Sequence, residues 1–392
     1  MRILRLVAQS FLSEKHRYLG STKDIAARVQ YFEDRDLNFD LVAHDKTLET
    51  VFDALGAVDL SIYTHLLIEK ANYGELFRRL RKEAPAAKII FRAHNAEMLH
   101  RVDYVRACLA SPRSRGLSEV AQHVRNIGVY GARDLSVVRH ADHVLSINEW
   151  DTTHYWRYLA PKARVTTAPF FLPRQYLEEA RPSPRKKKLC IVLGSSQPGP
   201  LIEHGINEFF RLLSQTGAAP YDSAGWRFII SGARTSRMPK AAELKALGVK
   251  RRNVESPYEL FGPAQATLIA SDLGRGFKTK ILEAIACEAF VICNPGLYRR
   301  LPSELLPYCI RFDPRSPEAF LAALGRTENG SSPGNPNALP RAPPSRQSDR
   351  VPAPAPTRPK APAGRRWPPP SARALPPSGR SQFAHRSPCS RG

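Results

Sequence analysis

From Gly274 to Gly296 the chain reads GRGFKTKILEAIACEAFVICNPG. Two glycines, Gly274 and Gly276, open the stretch, and three cations follow: Arg275, Lys278 and Lys280. An apolar run with helical spacing comes next, then Phe290-Val291-Ile292, closing on Asn294-Pro295-Gly296. Glycine loop, helix and buried strand in that order make one unit of an α/β sheet. A helix starting near Thr279 points unpaired N–H groups and a partial positive charge back at the loop. Glycines let a ligand approach the backbone and the cations add full charge, a combination suited to phosphate. Glu283, three residues beyond Lys280, shares a face of the first helical turn with it. That pair suits a nucleotide, with diphosphate on the lysine and ribose hydroxyls on the carboxylate. The alternative is an ordinary turn with solvated cations. Gly274-x-Gly276 lacks the third glycine of a dinucleotide fingerprint, and no Gly-Lys-Ser/Thr follows to make a Walker loop.

The same alternation runs through the chain. Strands are expected at residues 3–8, 41–43, 58–63, 88–91 and 143–147, with residues 165–171 ending a first domain. A helix is expected from Ser21-Thr22-Lys23-Asp24, with Ile25, Val29 and Phe32 on one face, and others at 75–81 and 133–141. A second domain opens with Leu189-Cys190-Ile191-Val192-Leu193 and the turn Gly194-Ser195-Ser196-Gln197-Pro198. A helix at 204–213, strands at 227–230, 266–270, 290–292 and 309–312, and a last helix from Pro317 to Leu324 follow. Strands alternating with helices imply parallel β-α-β units, whose ligands bind at the carboxyl ends of the strands. Arg92-Ala93-His94-Asn95-Ala96-Glu97 lies just past such an end, so His94 is placed to reach a cleft; the alternative is a histidine bonded to its own loop. Ser146 or Asn148 can cap the next helix, and Trp150, Tyr155 and Trp156 are expected to pack it.

The 274–296 stretch resembles the donor-binding signature of glycosyltransferases with the GT-B fold, family-four (group 1) type: a glycine loop, a helix reading K-x-x-E-A and a β-branched strand. Lys280, Glu283 and Ala284 match the helix, and Phe290-Val291-Ile292 takes the strand position. Many relatives carry a glutamate eight residues before the helix glutamate, where this chain has Arg275. The resemblance implies two doubly wound Rossmann-like α/β domains facing a cleft: 1–172 on the acceptor side, a linker over 173–187, and 188–325 for the nucleotide sugar. It implies transfer of a sugar, mostly with retention, from a nucleotide diphospho-sugar to a hydroxyl acceptor, a glycan or lipid-linked molecule of surface-glycan synthesis. Gly194, Ser195, Gly274, Arg275, Gly276, Lys280 and Glu283 would then hold the donor, and His94 would position its sugar. Ser146 and Glu149 resemble the serine-plus-acid end of a strand in these proteins. Relatives often place Arg and Lys in the first turn of the second domain, where Ser195, Ser196 and His204 stand here. No metal or organic cofactor is expected, the donor being a substrate. The architecture also implies a final helix crossing back to the first domain, but the chain enters a Pro/Arg-rich tail first.

That tail explains much of the charge. From Arg326 onward, 12 Lys and Arg stand against 2 Asp and Glu, with 16 of the 34 prolines, so this stretch holds +10 of the net +23. Such a composition cannot bury enough apolar surface to offset chain entropy, and 326–392 is expected to be disordered. The surplus in the body fits an anionic ligand and peripheral contact with an anionic membrane surface. Nucleic acid is not expected as a partner, because the basic residues are scattered and form no recognition motif. The six cysteines lack ligand spacing; Cys190, Cys287 and Cys293 read as buried thiols, and a reducing cytoplasm is the expected compartment. No apolar run is long enough to span a bilayer. The rivals to transfer are a glycosyltransferase-like binding subunit without activity and a sugar-nucleotide epimerase or hydrolase of the same fold.

Overall fold

Two parallel sheets of six strands each carry the fold. They are seen in a computed structural model that describes residues 1–45, 47–69, 73–110, 116–160, 163–196 and 198–329. The first sheet comprises β1 (Arg2–Ala8), β2 (Asn38–His44), β3 (His65–Glu69), β4 (Lys88–Ala93), β5 (His143–Ser146) and β6 (Arg164–Thr167), in spatial order β2-β1-β3-β4-β5-β6. The second comprises β7 (Lys187–Val192), β8 (Arg227–Ser231), β9 (Val249–Arg252), β10 (Ala264–Ile269), β11 (Phe290–Cys293) and β12 (Cys309–Arg311), in order β12-β11-β10-β7-β8-β9. Strand order reverses at β1/β3 in the first sheet and at β7/β10 in the second. Crossovers leave to opposite faces there, which opens a crevice at the carboxyl ends of the strands.

Period-two alternation covers both faces of the first sheet. Leu4, Leu6, Leu66 and Ile68 pack with Phe77 and Leu80 of α3 (Gly74–Glu83). Ile3 and Leu67, on the other face, pack with Phe32 of α1 (Gly20–Asp34). Arg5 shares that second face, which brings a guanidinium beneath α1. The short helix α2 (Leu48–Gly56) follows β2; α4 (Glu97–Leu109) and α5 (Leu117–Val138) follow β4 and pack on each other. In the second half, Phe209, Phe228, Ile292, Phe320 and Leu324 share one core, so the last helix among the described residues, Pro317–Asn329, stays on its own sheet.

Several expectations shift. The strand expected at 58–63 falls instead on His65–Glu69. Asp59 Oδ1 accepts from the Ser61 amide at 3.0 Å and from its hydroxyl at 2.6 Å, and this local turn wins over extended pairing. α1 starts at Gly20 with no side-chain cap, and its residues Lys23 and Asp24 are buried. β9 was not foreseen, because Val249-Lys250-Arg251-Arg252 is an edge strand with a single apolar residue. The expected linker is a packed element: the helix Arg174–Glu179 pairs with Asp34 through Arg174 at 2.8 Å and receives the Tyr18 hydroxyl on Glu179 at 2.8 Å. Cys108, Cys190, Cys287, Cys293 and Cys309 are buried and form no disulfide among the described residues. Residues 326–329 of the stretch expected to be disordered instead complete the helix Pro317–Asn329, and the rest, from residue 330, lies outside the described residues. Among the described residues, no helix is long and apolar enough to cross a membrane.

Candidate functional site

A cavity of about 260 Å³ opens at the β7/β10 crevice, lined among others by Leu193, Gly194 and Ser195 after β7, Ile269 at the end of β10, and Lys278 and Lys280. Gly194 and Ser195 therefore sit where the nucleotide turn was expected. Gly194 must be glycine because any Cβ would collide with the Ser231 carbonyl oxygen. Its N–H donates to Ser231 Oγ at 2.9 Å, and the Ser195 carbonyl accepts from the Ala233 N–H at 2.9 Å, so the turn is tied to the one after β8. Lys280 donates its ammonium to the Gly194 carbonyl, joining the two loops that flank the cavity. Burial lowers its pKa, with Glu283 opposing. Lys278 donates to the Leu273 carbonyl at 3.3 Å; burial, then the Arg300 charge, bring its pKa down to about 8. His204 faces the Ser271 hydroxyl at 3.0 Å, and burial keeps its pKa low.

The glycine loop itself is turned elsewhere. Its N–H groups at Gly274, Arg275 and Gly276 donate to Asp103 Oδ2 (2.9 Å), His100 Nδ1 (3.1 Å) and Asp151 Oδ2 (3.0 Å). Arg275 pairs through Nε with Asp103 at 2.9 Å, and its guanidinium lies 4.7 Å from the centre of the Trp150 ring. Burial raises the pKa of Asp151, opposed by Asn148 and the Gly276 N–H. The backbone cradle and the Arg275 charge expected to face a diphosphate thus face the first half in this conformation. Gly274 and Gly276 have φ of +93° and +74°, which favours glycine, and a Cβ on Gly276 would strike Asn95 Oδ1 and the His94 carbonyl oxygen. Spacing along the chain could not reveal this, because the acids come from 125 and 172 residues away.

Glu283 is fully buried and turned away from the cavity. Its Oε1 lies 2.7 Å from Lys23 Nζ of α1. Three tyrosine rings surround that ammonium: Tyr176 at 5.1 Å, Tyr18 at 5.2 Å and Tyr258 at 5.6 Å. Burial lowers the Lys23 pKa while Glu283 raises it. The carboxylate expected to accept ribose hydroxyls therefore holds a cation from the other half.

His94 lies just past the end of β4, as expected, and is buried, with Nδ1 3.5 Å from Asp24 Oδ2. It closes a buried chain of charges missed in the sequence. Arg5 pairs with Glu69 at 2.8 Å, Arg28 pairs with Glu69 and with Asp24 at 2.6 Å, and Arg92 pairs with Asp24 at 2.9 Å. Burial opposes ionisation of Asp24, yet Arg28, Arg92 and His94 hold its carboxyl far below the usual range. Its signal was a charge in each of three apolar strands: ILRLVA, HLLIE and KIIFRA. Beside it lies a second cavity, about 350 Å³, lined among others by Ala8, His44, Phe91, His94, Arg101 and Arg133. It sits at the carboxyl ends of β1, β2 and β4, against the β1/β3 reversal.

Asn148, rather than Ser146, caps the next turn, accepting from the Asp151 N–H at 2.8 Å. Tyr155 and Trp156 are buried in the core as expected, whereas Trp150 stacks on His154 with ring centres 4.7 Å apart and carries Arg275. Asp34, the last residue of α1 and the first of the sequence Asp34-Arg35-Asp36, pairs with Arg174 at 2.8 Å.

No family model matches the chain, and no curated protein matches its sequence. Solved structures do match. Sucrose-phosphate synthase from Thermosynechococcus elongatus aligns with a TM-score of 0.54 at 12% identity, over 84% of this chain and 90% of that one. HepE of Anabaena in complex with UDP aligns at 0.51 and 12% identity, over 84% and 90%. The lipopolysaccharide outer core galactosyltransferase WaaB, apo form, aligns at 0.50 and 13% identity, over 85% and 91%. At these identities the likeness is one of fold, and it agrees with the two reversed sheets: this chain has the GT-B architecture, two Rossmann-like halves facing a cleft.

Proposed function

We propose that the chain transfers a sugar from a nucleotide diphospho-sugar to a hydroxyl acceptor without a metal. The observation that carries this is the cavity at the β7/β10 reversal, where a glycine turn and the two lysines Lys278 and Lys280 meet. Reaction breaks the bond between the sugar C1 and the diphosphate oxygen, and negative charge builds on the departing group. Lys280 and Lys278 stand where that charge would be met, a role typically worth about 3 kcal/mol per well-aimed donor. Arg275 joins them only if it leaves Asp103. Glu283 accepts ribose hydroxyls only if Lys23 withdraws. His94 positions the sugar from the first half, with Asp24 orienting its ring. Support for a nucleotide-sugar partner comes from the fold neighbours, since HepE is described with UDP. The acceptor is a glycan or lipid-linked molecule, reached at an anionic membrane surface by peripheral contact, and the expected outcome is retention.

A second reading, a glycosyltransferase-like binding subunit without activity, is favoured by the Lys23–Glu283 pair and by the loop amides already bonded to Asp103 and Asp151. Product analysis separates the two. Incubation of the full chain with sugar nucleotides, with and without a glycan acceptor, is expected to release diphosphate nucleotide only when acceptor is present. Acceptor-independent release points to a hydrolase. Tight nucleotide binding with no release under either condition would leave the binding subunit.

A further inference from the structure

The cavity of the first half has a lining that the transfer reading leaves unexplained. His44, at the end of β2, is buried, and its Nδ1 is engaged by the Asp45 carbonyl oxygen. That bond places the proton on Nδ1 and leaves Nε2 as an acceptor. Nε2 is buried with no hydrogen-bond partner among the described residues. Burial lowers the His44 pKa, in keeping with a neutral ring. A buried acceptor left without a donor costs free energy unless a ligand hydroxyl or water supplies one.

The same lining holds a stack of cations and rings. The Arg101 guanidinium lies 4.1 Å from the centre of Tyr130, and Arg133 lies 5.2 Å from Tyr130 and 5.5 Å from Tyr73. Aromatic faces hold guanidinium planes in place without neutralising them. The charges around them do not balance. Arg92 and His94 share Asp24, and Glu97 accepts from Asn95 at 2.9 Å and lies 3.7 Å from Arg101. Arg133 makes no ion pair among the described residues. The lining of this cavity therefore carries both an uncompensated, pre-oriented guanidinium and a buried acceptor without a donor. His94 and Asn95 wall it off from the glycine loop, whose Gly276 packs directly on both.

We propose that this cavity binds a sugar bearing an anionic substituent, a carboxylate or a phosphate, with Arg133 and Arg101 on the anion and His44 Nε2 on a ring hydroxyl. Binding stands on this cavity alone; treating the ligand as the acceptor rests on the sugar-transfer reading. Charge-assisted bonds to a guanidinium discriminate by about tenfold or more against a neutral analogue.

The test is an NMR titration of the full chain, without nucleotide, with glucuronate, glucose 6-phosphate and glucose. At least one anionic sugar is expected to bind about tenfold or more tighter than glucose. The tighter of the two identifies the substituent. Arg133→Gln is expected to abolish most of that preference, Arg133→Lys to restore part of it, and His44→Phe to weaken all three sugars. UDP affinity, measured separately, is expected to be the same in Arg133→Gln as in the wild type. Glucose binding as tightly as the anions, no binding of any of the three, or a preference that survives Arg133→Gln would overturn the proposal. Absence of UDP binding alone would count against the transfer reading and leave this sugar preference standing.

Discussion

At the scale of residues, the pair Lys23–Glu283 shows how burial reassigns a side chain. Sequence places Lys23 in a helix start and Glu283 beside a nucleotide, yet both are fully buried and meet across the two halves. Each charge is tolerable only because the other is there. Removing one partner strands the other, so Glu283→Gln or Lys23→Met is expected to destabilise the protein by about 3 to 5 kcal/mol. Replacing both, as Lys23→Met with Glu283→Leu, is expected to recover most of that loss. Urea denaturation of the three variants beside the wild type checks it; near-additive losses in the double variant would show that the two side chains act independently.

At the scale of elements, the glycine loop behaves as a seam. Three consecutive amides end on Asp103, His100 and Asp151, and Arg300 holds the loop from behind through the Gly274 carbonyl at 2.9 Å and the Asp272 carbonyl at 2.8 Å. The helix after it, Lys280–Ala286, is short, and its Ile281 N–H is already bonded to the Lys278 carbonyl at 2.9 Å. The loop's attachment to the first half therefore depends on side chains from α4 and the Asn148 turn. Asp103→Asn removes the charge that pairs with Arg275 while keeping the shape. Hydrogen exchange at Gly274, Arg275 and Gly276 is expected to accelerate by about tenfold or more in that variant, because charged partners add roughly 1.5 to 3 kcal/mol to a hydrogen bond. Unchanged protection there would mean that packing, rather than the carboxylate, secures the loop.

At the scale of the whole molecule, the order of elements was legible and the contacts between halves were not. Alternating apolar strands and helices announced two parallel sheets, and glycine turns marked the carboxyl ends of β7 and β10. Strand 58–63 was misplaced because the Asp59 turn is a side-chain effect hidden inside an apolar run. The buried charges Arg5, Glu69, Asp24 and Arg92 escaped notice because each looks isolated in sequence and finds its partner only when β1, β3, β4 and α1 assemble. The loop's turn toward Asp103 and Asp151 was beyond reach for the same reason. Of the residues expected to hold the donor, Gly194, Ser195 and Lys280 line the β7/β10 cavity, beside Lys278. The direct measurement is a calorimetric titration of UDP into the full chain, wild type beside Lys280→Ala, at about pH 7 and about pH 9 on either side of the Lys278 pKa of about 8. Protonated Lys278 adds a charge that a diphosphate requires, so the expected result is tighter binding at the lower pH and a loss of about tenfold or more in Lys280→Ala. No measurable binding by the wild type, or equal affinity in the folded variant at both pH values, would contradict a diphosphate site at the β7/β10 crevice.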